Sequence, residues 1–282
     1  MSDVDDESLN RLENLNYQIK PFILRRKKDE VSKDLPDKIV NDIYLDFDDD
    51  QKKLYMSLVK ESEKDFNDLV TTQGFNKARF KILQLLMKLR QVCVDPNILY
   101  NNYKGTSVKM EKLLEIVSSY ISEGHKILIF SSFKTVINKV NKLFEEKGIS
   151  AYIINGDVKG ADRINLVDKF NNDDTNCFLI TLKSGGTGLN LTSADIVIHL
   201  DVWWNPQVEN QATDRAHRIG QDKNVSVIRF IARGTIEEKI IELQEKKKIL
   251  SDNLLEGKNN SSVLSGLDEK DIELLLSYSD ND

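Results

Sequence analysis

The chain has 282 residues, 30% charged and 40% hydrophobic, with a formal net charge of −6. That length can bury one large core with appendages or two small ones, and the negative sum excludes a surface coated throughout for polyanions while permitting a local basic patch. The two cysteines, Cys93 and Cys177, are far apart in apolar contexts, so buried thiols in a reducing compartment are expected rather than a disulfide framework.

The acidic start, MSDVDDES, reads as frayed or loosely helical. In NLNYQIKPFILRR, apolar and basic residues mix across Pro21, and the run Arg25, Arg26, Lys27, Lys28 fits a solvated face, a phosphate-contacting patch or a nuclear-import signal. Asp34-Leu35-Pro36 ends any helix there. Alternation over Ile39–Phe47 predicts a strand. The acids Asp46, Asp48, Asp49 and Asp50 do not make a calcium loop, because Gln51 and Ser57 stand where glycine and glutamate are required. Asp48 or Asp49 instead caps a helix over 52–70, with Leu54, Tyr55, Leu58 and Val59 on one side. A second helix over 77–94 carries Ile82, Leu85, Leu86 and Leu89 and stops at Asp95-Pro96. This pair predicts a projecting helical unit.

From Ser107 the pattern alternates. Helix 108–121 ends near Gly124; strands follow at Ile127–Phe133, Ala151–Ile154, Cys177–Thr181, Asp195–Leu200 and Ser226–Ile231, with helices between them. Short apolar runs separated by helices predict an α/β fold, a parallel sheet with helices on both faces and its functional edge at the carboxyl ends of the strands. After Gly234, Thr235 and Glu238 form a capping-box pair for a terminal helix with Ile236, Ile240, Leu243 and Leu250 as its stripe. A GKNNSS linker leads to DEKDIELLLSY, a short helix that docks on the body or on a partner. No apolar run has the length of a signal peptide or membrane span.

Two stretches bear on chemistry. Ser184-Gly185-Gly186-Thr187-Gly188 follows a strand, where glycines let backbone N–H groups approach a phosphate; a tight turn explains them equally. No GxxxxGK[ST] and no DExH tetrad occurs in the chain. Gln207–Gln221, QVENQATDRAHRIGQ, is expected to be helical, with Gln211, Asp214, Arg215 and Arg218 on one face. Paired guanidiniums suit a polyphosphate, while charge pairs on a solvated face are the plainer reading. Trp203 and Trp204 fill the core or cover a helix end, and His199 and His217 lack neighbours at metal-ligand spacing.

In order and spacing, ILIFSSF, INGDVKGADR, LKSGGTGLNLTSADIVIHLDVWWNP and QATDRAHRIGQ resemble the C-terminal motor half of Swi/Snf-type ATPases of helicase superfamily two. The upstream PFILRRKKDEVSKDLPDKI and LLMKLRQVCVDPNIL resemble that family's segments before the second lobe. The resemblance implies a RecA-like lobe over 106–232, a mostly helical segment and protrusion over 1–105, and brace-like helices and tail over 233–282. It implies arginine fingers at Arg215 and Arg218, supported by Gln211 and Asp214, and a nucleotide-coupling loop containing Gly186 and Gly188. It also implies DNA contacts at Ser131, Ser132, Thr187, Asn190, Trp204 and Asn205, and a structural or DNA-facing role for Arg163. ATP with Mg2+ would be bound mainly by a first RecA-like lobe absent from this chain, and no metal is expected here. The implied partners are that lobe, double-stranded DNA, and RNA polymerase or another DNA-bound complex, with no membrane. The wording of the motifs resembles bacterial members, so a cytoplasmic, nucleoid-associated location is expected ahead of a nuclear one.

Overall fold

The structure, a computed structural model, describes residues 18, 35–185, 188–253, 267 and 269–276. The segment 14–17, the basic run 25–28, Gly186, Thr187 and the GKNNSS linker lie outside the described residues. The chain divides into two units, Met1–Leu35 and Pro36–Asp282, and everything below concerns the second.

Six parallel strands form one sheet: β1 (Lys38–Leu45), β2 (Ile127–Ser131), β3 (Ala151–Ile154), β4 (Cys177–Thr181), β5 (Ile196–His199) and β6 (Val225–Ala232), in the spatial order β1-β6-β5-β2-β4-β3. Every residue of β2, β4 and β5 is buried, which is why those strands read as unbroken apolar runs rather than as alternation. The alternating β1 is an edge strand with most of its residues exposed. It joins the sheet in register Lys38↔Val225 to Leu45↔Ala232, and Arg229 of β6 grips Asp42 through two bonds of 2.6 Å. A strand expected within the helical segment thus completes the sheet.

Helices cover both faces. Odd positions of β2, Ile127 and Ile129, meet α3 (Val108–Ser122) and α4 (Lys134–Glu146) through Leu113, Val117, Val136, Ile137, Val140 and Phe144. Even positions, Leu128 and Phe130, meet α5 (Gly160–Asn172), the single turn α6 (Leu182–Gly185) and α7 (Pro206–Thr213) through Val167, Phe170, Leu182 and Ala212. At the end of β4 the expected loop therefore begins as a helical turn. A Cβ on Gly185 would stand 3.0 Å from the Phe130 ring, so any other residue there would require the ring to give by a few tenths of an ångström.

A third core holds the helical pair α1 (Asp49–Gln73) and α2 (Phe75–Val94) against α8 (Ile236–Asn253) and α9 (Glu269–Leu276). Asp48 is the cap of α1, accepting from the Gln51 amide at 2.7 Å. The last helix docks on the body, burying Ile272, Leu275 and Leu276 in that core. At the start of α8 the capping is shifted by one residue: Thr235 Oγ1 accepts from the Glu237 amide, and Glu238 accepts from the Gly234 amide.

Candidate functional site

In strand order β5 and β2 are neighbours, and the chain leaves β2 toward β3 on one side and β5 toward β6 on the other, so the direction of the connections reverses between these two strands. The carboxyl ends of strands flanking such a reversal open into a crevice that no crossover helix covers. Ser131 ends β2 there and Ser132 follows it, Ser184 and Gly185 follow β4, and Asp201 through Asn205 follow β5.

Around Asp201 these segments are tied together. Its carboxylate accepts from Ser131 Oγ at 2.6 Å, from the Ser132 amide at 2.9 Å, from Ser132 Oγ, and from Arg90 Nη2 at 2.9 Å. Ser131 is fully buried and Trp204 is 2% exposed, with its ring facing the Arg90 guanidinium at 5.6 Å. Both side chains are turned into the fold in this arrangement. Asn205 caps α7 by accepting from the Gln207 amide at 3.0 Å, so its oxygen is likewise committed. Ser132 remains half-buried, Asn190 is exposed, and Thr187 and Gly186 lie outside the described residues. Arg163 takes the structural role, donating to the carbonyls of Val158 and Asn155.

The arginines lie elsewhere. The helix expected to run to Gln221 stops at Thr213; Asp214 is its terminal residue and 214–220 are turns, closing on Gly220 with φ of 100°. Three tethers account for this. The Arg215 carbonyl accepts from the Leu191 amide at 2.9 Å, His217 Nε2 pairs with the Pro36 carbonyl at 2.7 Å, and Gln221 Nε2 donates to the carbonyls of Thr192, Ala194 and Ala216. The expected shared face of Gln211, Asp214, Arg215 and Arg218 is therefore not formed: Gln211 and Arg218 are exposed, Asp214 is half-buried and Arg215 is 9% exposed. The turn sits beside Leu191–Ala194, the segment entering β5, so the structure does not bring the arginines together with the Ser132–Asp201 cluster at the strands' carboxyl ends.

Arg215 Nε is buried without a hydrogen-bond partner among the described residues. Burial first and the Arg218 charge second push the Arg215 guanidinium below its ordinary pKa, with Asp214 opposing. The Nε so placed is a charged donor without a hydrogen-bond partner among the described residues, and a phosphate oxygen would satisfy it.

Sequence reasoning passed over Arg90, Asp201, Lys109 and Glu237. Lys109 is fully buried, with Nζ donating to the carbonyls of Leu200 at 2.8 Å and Phe230 at 2.9 Å and to both oxygens of Glu237. One signal was available: Arg90 is a cation on the apolar stripe of its helix, between Leu86 and Cys93. Of the histidines, His199 is a core residue. His199 stacks on Phe130 with centroids 5.4 Å apart and reaches Thr213 Oγ1 at 3.1 Å.

A six-stranded parallel sheet with this order and helices on both faces defines a RecA-like lobe. Residues 108–220 match the helicase conserved C-terminal domain and residues 2–98 the SNF2-related domain. An uncharacterized ATP-dependent helicase of Mycoplasma pneumoniae is 44% identical over 250 residues, covering 87% of this chain and 23% of that protein. The Sulfolobus solfataricus SWI2/SNF2 ATPase C-terminal domain superposes with a TM-score of 0.68 at 29% identity, covering 86% of this chain and 100% of that one. The SWI2/SNF2 ATPase core of the same organism, solved in complex with double-stranded DNA, superposes with a TM-score of 0.70 at 33% identity, over 95% of this chain and 56% of that one. The chain belongs to the Swi/Snf family of superfamily-two ATPases and corresponds to its C-terminal lobe. It spans about a quarter of the length of the curated relatives it matches.

Proposed function

We propose that this chain is the second lobe of a motor that hydrolyses ATP to move on duplex DNA and remodel protein–DNA complexes. Its contribution to hydrolysis is the pair Arg215 and Arg218, reaching toward a γ-phosphate held by a first lobe. The observation that carries this reading is the buried, unpartnered Arg215 Nε beside a second guanidinium. As phosphoryl transfer spreads charge over the equatorial oxygens, fixed guanidinium donors stabilise that charge more than the ground state. Mg2+ with the nucleotide is assigned in this reading to the first lobe.

Duplex contact is proposed at Ser132 and the backbone after it, and at Thr187 and Asn190, where phosphate binding is insensitive to base sequence. The resemblance to an ATPase core solved with double-stranded DNA supports duplex DNA as a partner. The partners proposed are the first lobe, duplex DNA, and RNA polymerase or another DNA-bound complex.

The test is steady-state ATP turnover by this chain, alone and with a 30-base-pair duplex. The expected result is no turnover above background in either case. Sustained turnover by the chain alone would contradict the division of labour proposed for the two lobes.

A further inference from the structure

The carboxyl-terminal half of α2 is a core helix, yet Arg90, 1% exposed, projects from it. Its Nη2 donates to Asp201 Oδ1 at 2.9 Å, the Val202 carbonyl at 2.7 Å and Ser132 Oγ at 3.2 Å. The guanidinium carbon stands 5.2, 5.1 and 5.6 Å from the ring centroids of Phe133, Trp203 and Trp204. Helix α2, the β2–α4 turn and the chain leaving β5 thus converge on one cation. A buried arginine–carboxylate pair is a poor source of stability compared with apolar side chains of the same volume, because both ions give up their hydration. What it supplies is direction. Nη2 of the planar guanidinium holds Asp201, and Asp201 holds the Ser132 amide and hydroxyl. The turn so fixed leads directly into α4, whose first residues, Lys134 and Thr135, are exposed.

We propose that Arg90 is a positioning residue that acts through Asp201 to hold the Ser132–Lys134 turn in the form that meets duplex phosphates, so that the α1–α2 helical pair governs DNA engagement without touching DNA. The inference rests on the duplex contact proposed for Ser132 and the backbone after it.

Arg90→Lys keeps the charge and loses the planar guanidinium that reaches Asp201, Val202 and Ser132, and Ser132→Ala removes the half-buried end of the network, where the loss is mild enough for folding. Both are compared with the unaltered chain by duplex binding in low salt, amide hydrogen exchange and urea unfolding. In Arg90→Lys, exchange of the Ser132 amide is expected to quicken at least tenfold relative to β3 and β4. The duplex Kd is expected to rise about fivefold or more in Arg90→Lys and about threefold in Ser132→Ala, under conditions where urea unfolding shows the chain folded. Altered unfolding with Kd unchanged in either variant overturns the positioning role and leaves Arg90 a packing residue. No duplex binding by the unaltered chain overturns the duplex reading itself, and this role with it.

Discussion

Lys109 and Glu237 form an ion pair with both side chains fully buried, Nζ to Oε2 at 2.6 Å, where α8 crosses the carboxyl ends of β5 and β6. Burial raises the Glu237 pKa while Lys109, by charge and hydrogen bond, opposes it, and the carboxylate also accepts from the Ala232 amide. Lys109→Met strands a carboxylate in the core and is expected to cost about 3–5 kcal/mol in urea unfolding. Lys109→Met with Glu237→Gln removes both charges and should recover most of that loss. If the double variant is no more stable than the single, the pair is not a coupled unit.

Stability should depend on pH through two buried groups whose effects oppose each other. Burial, aided by Arg229 and opposed by Asp201, pushes His199 down to about 4 from 6.5. Between those values the unfolded chain holds a proton the native one lacks, so this term makes stability rise with pH across that window. Burial pushes Glu209 up to about 7 from 4.5, outweighing its bond from the Trp203 amide and Arg229 nearby. Here the native state holds the extra proton, so stability falls as pH rises from 4.5 to 7. Chemical unfolding from pH 4.5 to 7.5 should therefore show a shallow profile. His199→Gln should tilt it toward greater stability in acid, and Glu209→Gln should flatten the loss toward neutrality. Profiles unchanged in both variants would contradict these assignments.

Gln221 is the staple between the arginine turn and the segment entering β5. Gln221→Ala leaves carbonyls without their donor and is expected to cost about 1–3 kcal/mol. Gln221→Glu sets acceptor against acceptor and should cost more at neutral pH. Hydrogen exchange at Leu191, whose amide is bonded to the Arg215 carbonyl, should quicken in both. Unchanged Leu191 exchange would show that the seam does not depend on Gln221.

Strand positions were legible because buried parallel strands are short apolar runs: Ala151–Ile154 and Cys177–Thr181 fall where the sequence places them. The partner of β1 was not, since nothing local in Ile39–Phe47 says that it pairs with a strand some 190 residues later. The helix end at Thr213 was missed for a similar reason. Residues 207–221 have a helical composition, and what bends the chain is a set of tethers to Pro36, Leu191 and Thr192 that only the fold creates. The arginines were found by residue type and spacing, but their environment, one buried and one exposed, is a tertiary property. Trp204 fills the core, one of the two places its residue type alone suggests, and the guanidinium its ring faces is Arg90.

The arginine pair tests the central claim most directly. In a two-lobed protein containing this chain, Arg215→Ala and Arg218→Ala should leave ATP binding nearly intact and lower DNA-stimulated turnover by about 10³-fold or more. Turnover within a few-fold of the unaltered protein in both variants would return the two arginines to an ordinary solvated turn and contradict the account.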